Sequence, residues 1–271
     1  MNDVSVIIPT WNRADTIEKA VRSALDQTIP PLEVLVCDDG STDNTYGIIR
    51  SFNDPIVKWI EAPRSGRPAI PRNWGIRKSR GEWLAFLDSD DAWLPDKLEK
   101  QLNLAKKLEC RAVCSNAHRL VPEKGLQGEL LSWKQERITF NDLLDVNLVI
   151  CSSSLVHNSI FEQALGFPED PCLAAIEDYS LWLRVVTQTD FAYAKKPLLI
   201  YRDAPNNSIR NPDATTVWMQ RKFVLSNFLD WSEKQKISIE YMAKARKEYK
   251  KASRCARKYR WFNSLKKIIP Q

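Results

Sequence analysis

The chain has 271 residues, 44% of them hydrophobic, enough for one large core or for a core with an appendage. Its net charge of +6 is uneven: residues 233–271 hold 13 basic and 3 acidic side chains, while residues 1–232 hold 27 basic and 31 acidic ones. A near-neutral body with a basic end argues against a nucleic-acid-binding protein and for an anionic surface met from one end.

Residues 4–8 (VSVII) read as a buried strand closed by Pro9, and Asp15 with Glu18 gives a cap signature for a helix to about residue 27. A second strand is expected over 32–37 (LEVLVC), closed by Asp38, Asp39, Gly40 and Ser41, with a helix over about 42–52. A third strand at 57–60 and a helix at 71–79 follow, then a fourth strand at 83–87 and a helix at 95–108. Strands alternating with helices predict a parallel α/β sheet. After residues 112–114 the alternation breaks into a polar stretch at 122–137, helices at 140–146 and 178–186, and one or two strands at 191–201 around Pro197. From residue 215 the pattern is helical, interrupted near Trp231. Met242, Ala245, Tyr249, Ala252, Ala256 and Tyr259 recur there at steps of three and four, with Lys and Arg filling the other faces.

Six cysteines without CxxC spacing and only two histidines, His118 and His157, argue against a disulfide framework and a zinc site. The first apolar stretch is too short for a secretory leader, and no segment reaches the roughly 20 apolar residues of a membrane-spanning helix. A soluble, cytoplasmic protein is expected.

Residues 86–93 (FLDSDDAW) put Asp88, Asp90 and Asp91 at the end of an apolar strand. Carboxylates this close repel one another unless a hard cation or a change of protonation neutralises them. Mg²⁺ or Mn²⁺ held by one or two carboxylates commonly completes its shell with phosphate oxygens, so the chain is expected to handle a diphosphate. A helix cap accounts for one aspartate but not for three, and the carboxyl ends of strands are where an open α/β sheet binds ligands. Asp39 also lies just beyond a strand end, where a carboxylate suits a base edge that offers a donor; Ser41 and Thr42 can already cap the next helix.

In order, VSVIIPTWNRADTIEKAVRSALDQT, VLVCDDGSTDNT, PRNWGI, GEWLAFLDSDDAWLPDKLEKQ and EDYSLWLR resemble the family 2 glycosyltransferases. The likeness is dense over residues 4–107, thinner to about 202 and absent from the tail. It implies the GT-A fold, a Rossmann-like, mostly parallel α/β sheet flanked by helices, here with a helical, basic C-terminal appendage. It implies that Pro9, Thr10, Asn12, Arg13 and Asp39 hold the nucleoside, with Asp39 accepting from a uracil imide N–H. Arg72 would lie near the diphosphate, with Arg64 and Arg67 in the loop before it. Asp88 would contact ribose or metal, Asp90 would ligate the metal, and Asp178 would be the general base for the acceptor hydroxyl. On the residues alone, Arg72 can equally be a solvated helix-start arginine, and Glu177 with Asp178 can equally serve a helix dipole.

Two departures from the family pattern matter. Tyr201-Arg202 is followed by residues 203–207 without the histidine that many relatives place there, leaving Asp203 or Asn206 as a substitute metal ligand. The QxxRW signature of processive synthases is missing, which implies one sugar per encounter. The resemblance as a whole implies an inverting, Mn²⁺- or Mg²⁺-dependent transferase that uses a UDP-sugar. Its acceptor would be a glycan or lipid-linked oligosaccharide of a bacterial surface polysaccharide such as lipopolysaccharide. A non-catalytic nucleotide-sugar-binding scaffold is the alternative; a sugar-nucleotide pyrophosphorylase is weaker, because residues 9–13 hold no glycine. The division expected is a catalytic domain over 1–214, with a nucleotide-sugar half at 1–115 and an acceptor half at 116–214, followed by the appendage at 215–271. There the apolar stripe, with Trp261, Phe262, Leu265, Ile268 and Ile269 beyond it, is expected to lie on an anionic membrane surface, making the enzyme peripheral on the cytoplasmic face of the inner membrane; the alternative is a helix packed against the catalytic body with its lysines solvated.

Overall fold

The computed structural model describes residues 3–204 and 214–266. Its first half alternates as the pattern predicts: β1 (Val4–Thr10), α1 (Ile17–Leu25), β2 (Glu33–Asp38), α2 (Thr45–Ser51), β3 (Val57–Glu61), α3 (Ala69–Lys78), β4 (Trp83–Phe86), β5 (Ala92–Trp93) and α4 (Lys97–Leu108). The second half runs β6 (Ala112–Val121), β7 (Gly125–Glu129), β8 (Arg137–Ile138), α5 (Phe140–Asp145), β9 (Leu155–His157), α6 (Ile160–Ala164), α7 (Glu177–Val185), β10 (Phe191–Arg202), α8 (Ala214–Lys234) and α9 (Ile239–Lys266). These strands form a single sheet in the order β3-β2-β1-β4-β9-β6-β10-β5, with β7 beside β6 and β8 beside β10. β1 to β4 are mutually parallel, and β6 is parallel to β10. β9 enters antiparallel between β4 and β6, and β5 returns antiparallel on β10. The order of strand addition reverses at β1: β2 and β3 lie on one side of it and β4 on the other. An open α/β sheet binds ligands at such a switch point, beyond the carboxyl ends of its strands.

The period of two along β1 splits the core. Val4, Val6 and Ile8 face one apolar layer with α1 and α4, while Ile7 faces the other with Phe86, Trp182 and Phe191. Trp182 anchors that second layer, with ring centroids of Phe86, Phe167 and Phe191 at 6.3, 5.9 and 5.5 Å in edge-on geometry.

Several expectations change. The Asp15/Glu18 cap does not form: α1 starts after Thr16, which makes no side-chain cap bond, and Glu18 instead pairs with Arg22 at 2.7 Å one turn on. The polar stretch after residue 121 is in part a hairpin of β6 and β7, and β9 and α6 are too short for periodicity to reveal. The terminal helices break over residues 235–238, just past Trp231 as expected; Trp231 itself is buried and donates from Nε1 to the Gln163 carbonyl. The largest correction concerns the tail stripe. Ala245 and Ala252 belong to the same core as Trp182, the Tyr241 ring lies tilted against Phe140 with centroids 4.6 Å apart, and Arg221 of α8 bonds Glu248 of α9 at 2.7 Å. Small side chains let α9 approach the body closely, so most of its apolar face up to Ala256 is spent on packing, while Tyr259 and the basic faces remain outside. Ile268, Ile269 and the side chains of Trp261, Phe262 and Leu265 lie outside the described residues.

Candidate active site

A cleft of about 550 Å³ opens at the carboxyl ends of β1, β2 and β4 and is closed on its far side by α7 and the end of β10. Pro9, Thr10, Asn12, Arg13, Asp39, Arg72, Asp88, Asp90 and Asp178 all line it, so the fold brings every expected site residue to one place. A second cavity of about 490 Å³, around Tyr46 and Trp59, lies between α2 and β3, away from these carboxylates.

The loops that follow β1 and β2 are stitched to one another. Asn12, in the left-handed region at φ 50°, donates its backbone N–H to Ser41 Oγ (2.9 Å), and its Oδ1 accepts from Thr42 N (2.8 Å). Asp38 accepts from the amides of Gly40 and Ser41 at 3.0 and 2.8 Å and is a turn former. Asn12 therefore spends its side chain on the loop. Thr10 Oγ1 is buried at the cleft without a protein partner, an atom suited to a ligand. Asp39, almost fully buried, accepts from Arg64, Ser65 and Gly66 in the strap that leads into α3.

The acidic motif divides by role. Asp88 and Asp90 face the cleft; Asp91 turns inward, accepting from Ser152 Oγ (2.5 Å) and Arg202 N (2.8 Å). Burial, with repulsion from Asp88 and Asp90, pushes the Asp91 carboxyl well above the usual range. Burial also raises Asp90, with Asp88 adding to it and Arg13, at 3.6 Å, opposing. Arg72 is neither solvated nor at a free helix start: Nη2 donates to Asp88 and Nη1 to Glu177, each at 2.6 Å. Burial works against its charge, but these carboxylates hold the guanidinium well above its usual value; neighbouring Cys151, whose thiol burial raises strongly, is neutral there. Through Glu177 this ion pair ties the acidic motif to the first turn of α7, which carries Asp178. Asp178 Oδ1 accepts from Tyr179 N at 2.7 Å.

Sequence reading missed the floor of the site. A short 3₁₀ turn at Cys151–Ser153 supports the acidic motif: Ser152 Oγ accepts from Asp88 N (3.0 Å), and its carbonyl accepts from Trp93 Nε1 (2.8 Å). The run of three serines after an apolar stretch was the available signal. Asp203 lines the cleft but is paired with Arg119 at 2.6 Å, and Asn206 lies outside the described residues. Among the described residues no three His, Cys, Asp or Glu side chains converge as a metal cage. Asp88 and Asp90 alone nevertheless fit Mg²⁺ or Mn²⁺: burial, with Asp88 beside it, already disfavours the bare Asp90 charge, and such ions accept one or two carboxylates when phosphates complete the shell.

The family profile described as Glycosyl transferase family 2 matches residues 5–165. The chain belongs to that family. This family 2 glycosyltransferase is 31% identical over 208 residues to TuaG of Bacillus subtilis (strain 168), which bears the name of a teichuronic acid biosynthesis glycosyltransferase; the match covers 76% of this chain and 81% of TuaG. It is 30% identical over 189 residues to the Escherichia coli UDP-Glc:alpha-D-GlcNAc-diphosphoundecaprenol beta-1,3-glucosyltransferase WfgD, covering 70% and 72% of the two chains. In three dimensions it resembles residues 1–349 of S. aureus TarS, crystallised in complex with UDP. The TM-score is 0.68 at 20% identity, over 89% of this chain and 68% of that one, a likeness that concerns the fold.

Proposed function

We propose that this glycosyltransferase moves one sugar, with inversion, from a UDP-sugar to a hydroxyl of a lipid-linked oligosaccharide in bacterial surface polysaccharide synthesis. The observation that carries the reading is the meeting, in one cleft at the switch point, of Thr10 and Asp39 on one side and Asp178 on the other, with Asp88 and Asp90 between. The UDP-Glc donor and diphosphoundecaprenol acceptor in the name of WfgD, and the UDP bound to TarS, support the choice of substrates.

Asp39 and Thr10 take the nucleoside, and Arg13, Arg67 and Arg72 offset the diphosphate charge. Asp178 accepts the proton of the acceptor hydroxyl as that oxygen attacks the anomeric carbon from the side opposite the diphosphate. One displacement inverts the centre. Mg²⁺ or Mn²⁺ held by Asp88 and Asp90 would neutralise the leaving diphosphate. A screen of UDP-, GDP- and dTDP-sugars with Mn²⁺, read as slow donor hydrolysis, tests the reading; turnover of UDP-sugars is expected, and turnover confined to another base contradicts it.

Residues 1–214 form the catalytic unit in this reading, and 215–271 the appendage that sets its location. Among the described residues no helix is long and apolar enough to cross a membrane. Lys247, Lys250 and Arg254 are exposed on α9, and basic groups near an anionic leaflet contribute about 1 kcal/mol each before screening. Reversing these three charges is expected to abolish sedimentation with anionic vesicles; equal sedimentation of the reversed and natural proteins removes α9 as the anchor.

A further inference from the structure

Asp39 holds more hydrogen bonds than a residue open to a ligand. Oδ1 accepts from Ser65 N at 2.7 Å and Ser65 Oγ at 2.5 Å, and Oδ2 accepts from Gly66 N at 2.8 Å and from the Arg64 guanidinium. An ionised carboxylate offers about four lone-pair sites, so four donors fill it. The same guanidinium sits over Trp11, with Cζ 3.8 Å from the ring centroid. Trp11 and Asp39 both line the cleft at the ends of β1 and β2. A planar group that covers an aromatic ring and aims N–H donors at a buried carboxylate offers what a nucleobase with an imide N–H offers.

We infer that Arg64 is an internal stand-in for the nucleobase, which holds the base subsite until the nucleotide displaces it. The inference rests on the donor reading given above. Arg64 is the replaceable donor of the four: its side chain is 43% exposed, whereas that of Asp39 is 5% exposed. The other three come from a strap seated against Gly40, where an added Cβ would stand 3.0 Å from Arg64 Cβ and 3.2 Å from its Cα. Gly40 has φ +78°, so a side chain is disfavoured there twice over. The strap can stay in place while the Arg64 side chain turns out toward solvent. A ligand with no N–H facing Asp39 cannot replace the bond it breaks, which makes the exchange selective for the base.

Uridine is the discriminating probe, because it has no phosphate for a released arginine to grip. If Arg64 closes the subsite, only the open fraction of molecules binds, and the apparent dissociation constant is raised by the inverse of that fraction. Calorimetric titration of the full chain with uridine and with UDP is expected to show uridine bound about tenfold more tightly by Arg64→Ala than by the natural protein. Arg64→Gln, a planar amide without charge, is expected to fall between them. Uridine bound no more tightly by Arg64→Ala, in a protein that does bind UDP, overturns the inference and leaves the donor reading standing. Failure of both the natural protein and the variant to bind UDP or uridine defeats the donor reading and this inference with it.

Discussion

The two walls of the cleft are built differently. On the donor wall, loops hold one another by hydrogen bonds near solvent, with Arg13 and Arg64 about 40% exposed. On the facing wall, all nine residues of α7 are buried, and the Arg72–Glu177 pair beneath the acidic motif is 6% and 5% exposed. The contrast separates two tasks. In the proposed mechanism, residues that exchange protein partners for a ligand sit where exchange costs little, and the residue that aims one carboxylate sits on an element fixed in the core.

Asp178→Asn probes the fixed wall most severely. Transfer is expected to fall by about 10²–10⁴-fold with UDP affinity unchanged, since the amide keeps its shape but cannot take a proton. Turnover near normal would assign the base elsewhere. Arg72→Ala comes next: it leaves Glu177 buried without its partner and is expected to cost about 3–5 kcal/mol in denaturant unfolding. Arg72→Met with Glu177→Met should recover most of that loss, and a double variant no more stable than the single one would mean that the pair does not act as a unit.

On the donor wall, Asp90→Ala is expected to weaken Mn²⁺-dependent UDP binding by about tenfold while leaving stability intact, because metal affinity resides in its few carboxylate ligands. An unchanged Mn²⁺ dependence in calorimetry would take Asp90 off the ligand set. The smallest effect concerns Lys97, fully buried against the Trp93 ring at 4.0 Å and bonded to Gln101 at 2.7 Å. Burial pushes its amine well below the usual value. The unfolded chain therefore binds the proton more readily than the native one, and stability rises with pH between the native and unfolded pKa. Relative to Lys97→Met, the natural protein is expected to gain stability as pH rises toward that of the unfolded lysine. Parallel pH profiles would show that the lysine stays charged inside the fold.

The same contrast governs what the sequence made readable. The donor wall hangs on long apolar strands and on helices with a regular period, so β1, β2, β4 and their terminal carboxylates could be located from pattern alone. The resemblance carried Asp178 as well. The supports of the facing wall are short or tertiary: the 3₁₀ turn at Ser152, strand β9 and the Arg72–Glu177 contact join residues up to 105 positions apart and leave no local period. The basic tail stayed ambiguous for a related reason. An apolar stripe flanked by Lys and Arg reads alike whether the stripe meets lipid or a protein core, and only Phe140, Tyr241 and Glu248 across the contact decide it.

Inversion by a single displacement from Asp178 is tested most directly by the anomer that leaves the enzyme. Proton NMR of the sugar first released from an α-linked UDP-sugar, recorded before mutarotation, is expected to show the β-anomer, with release lost in Asp178→Asn. The α-anomer appearing first, or undiminished release by Asp178→Asn, would contradict that mechanism.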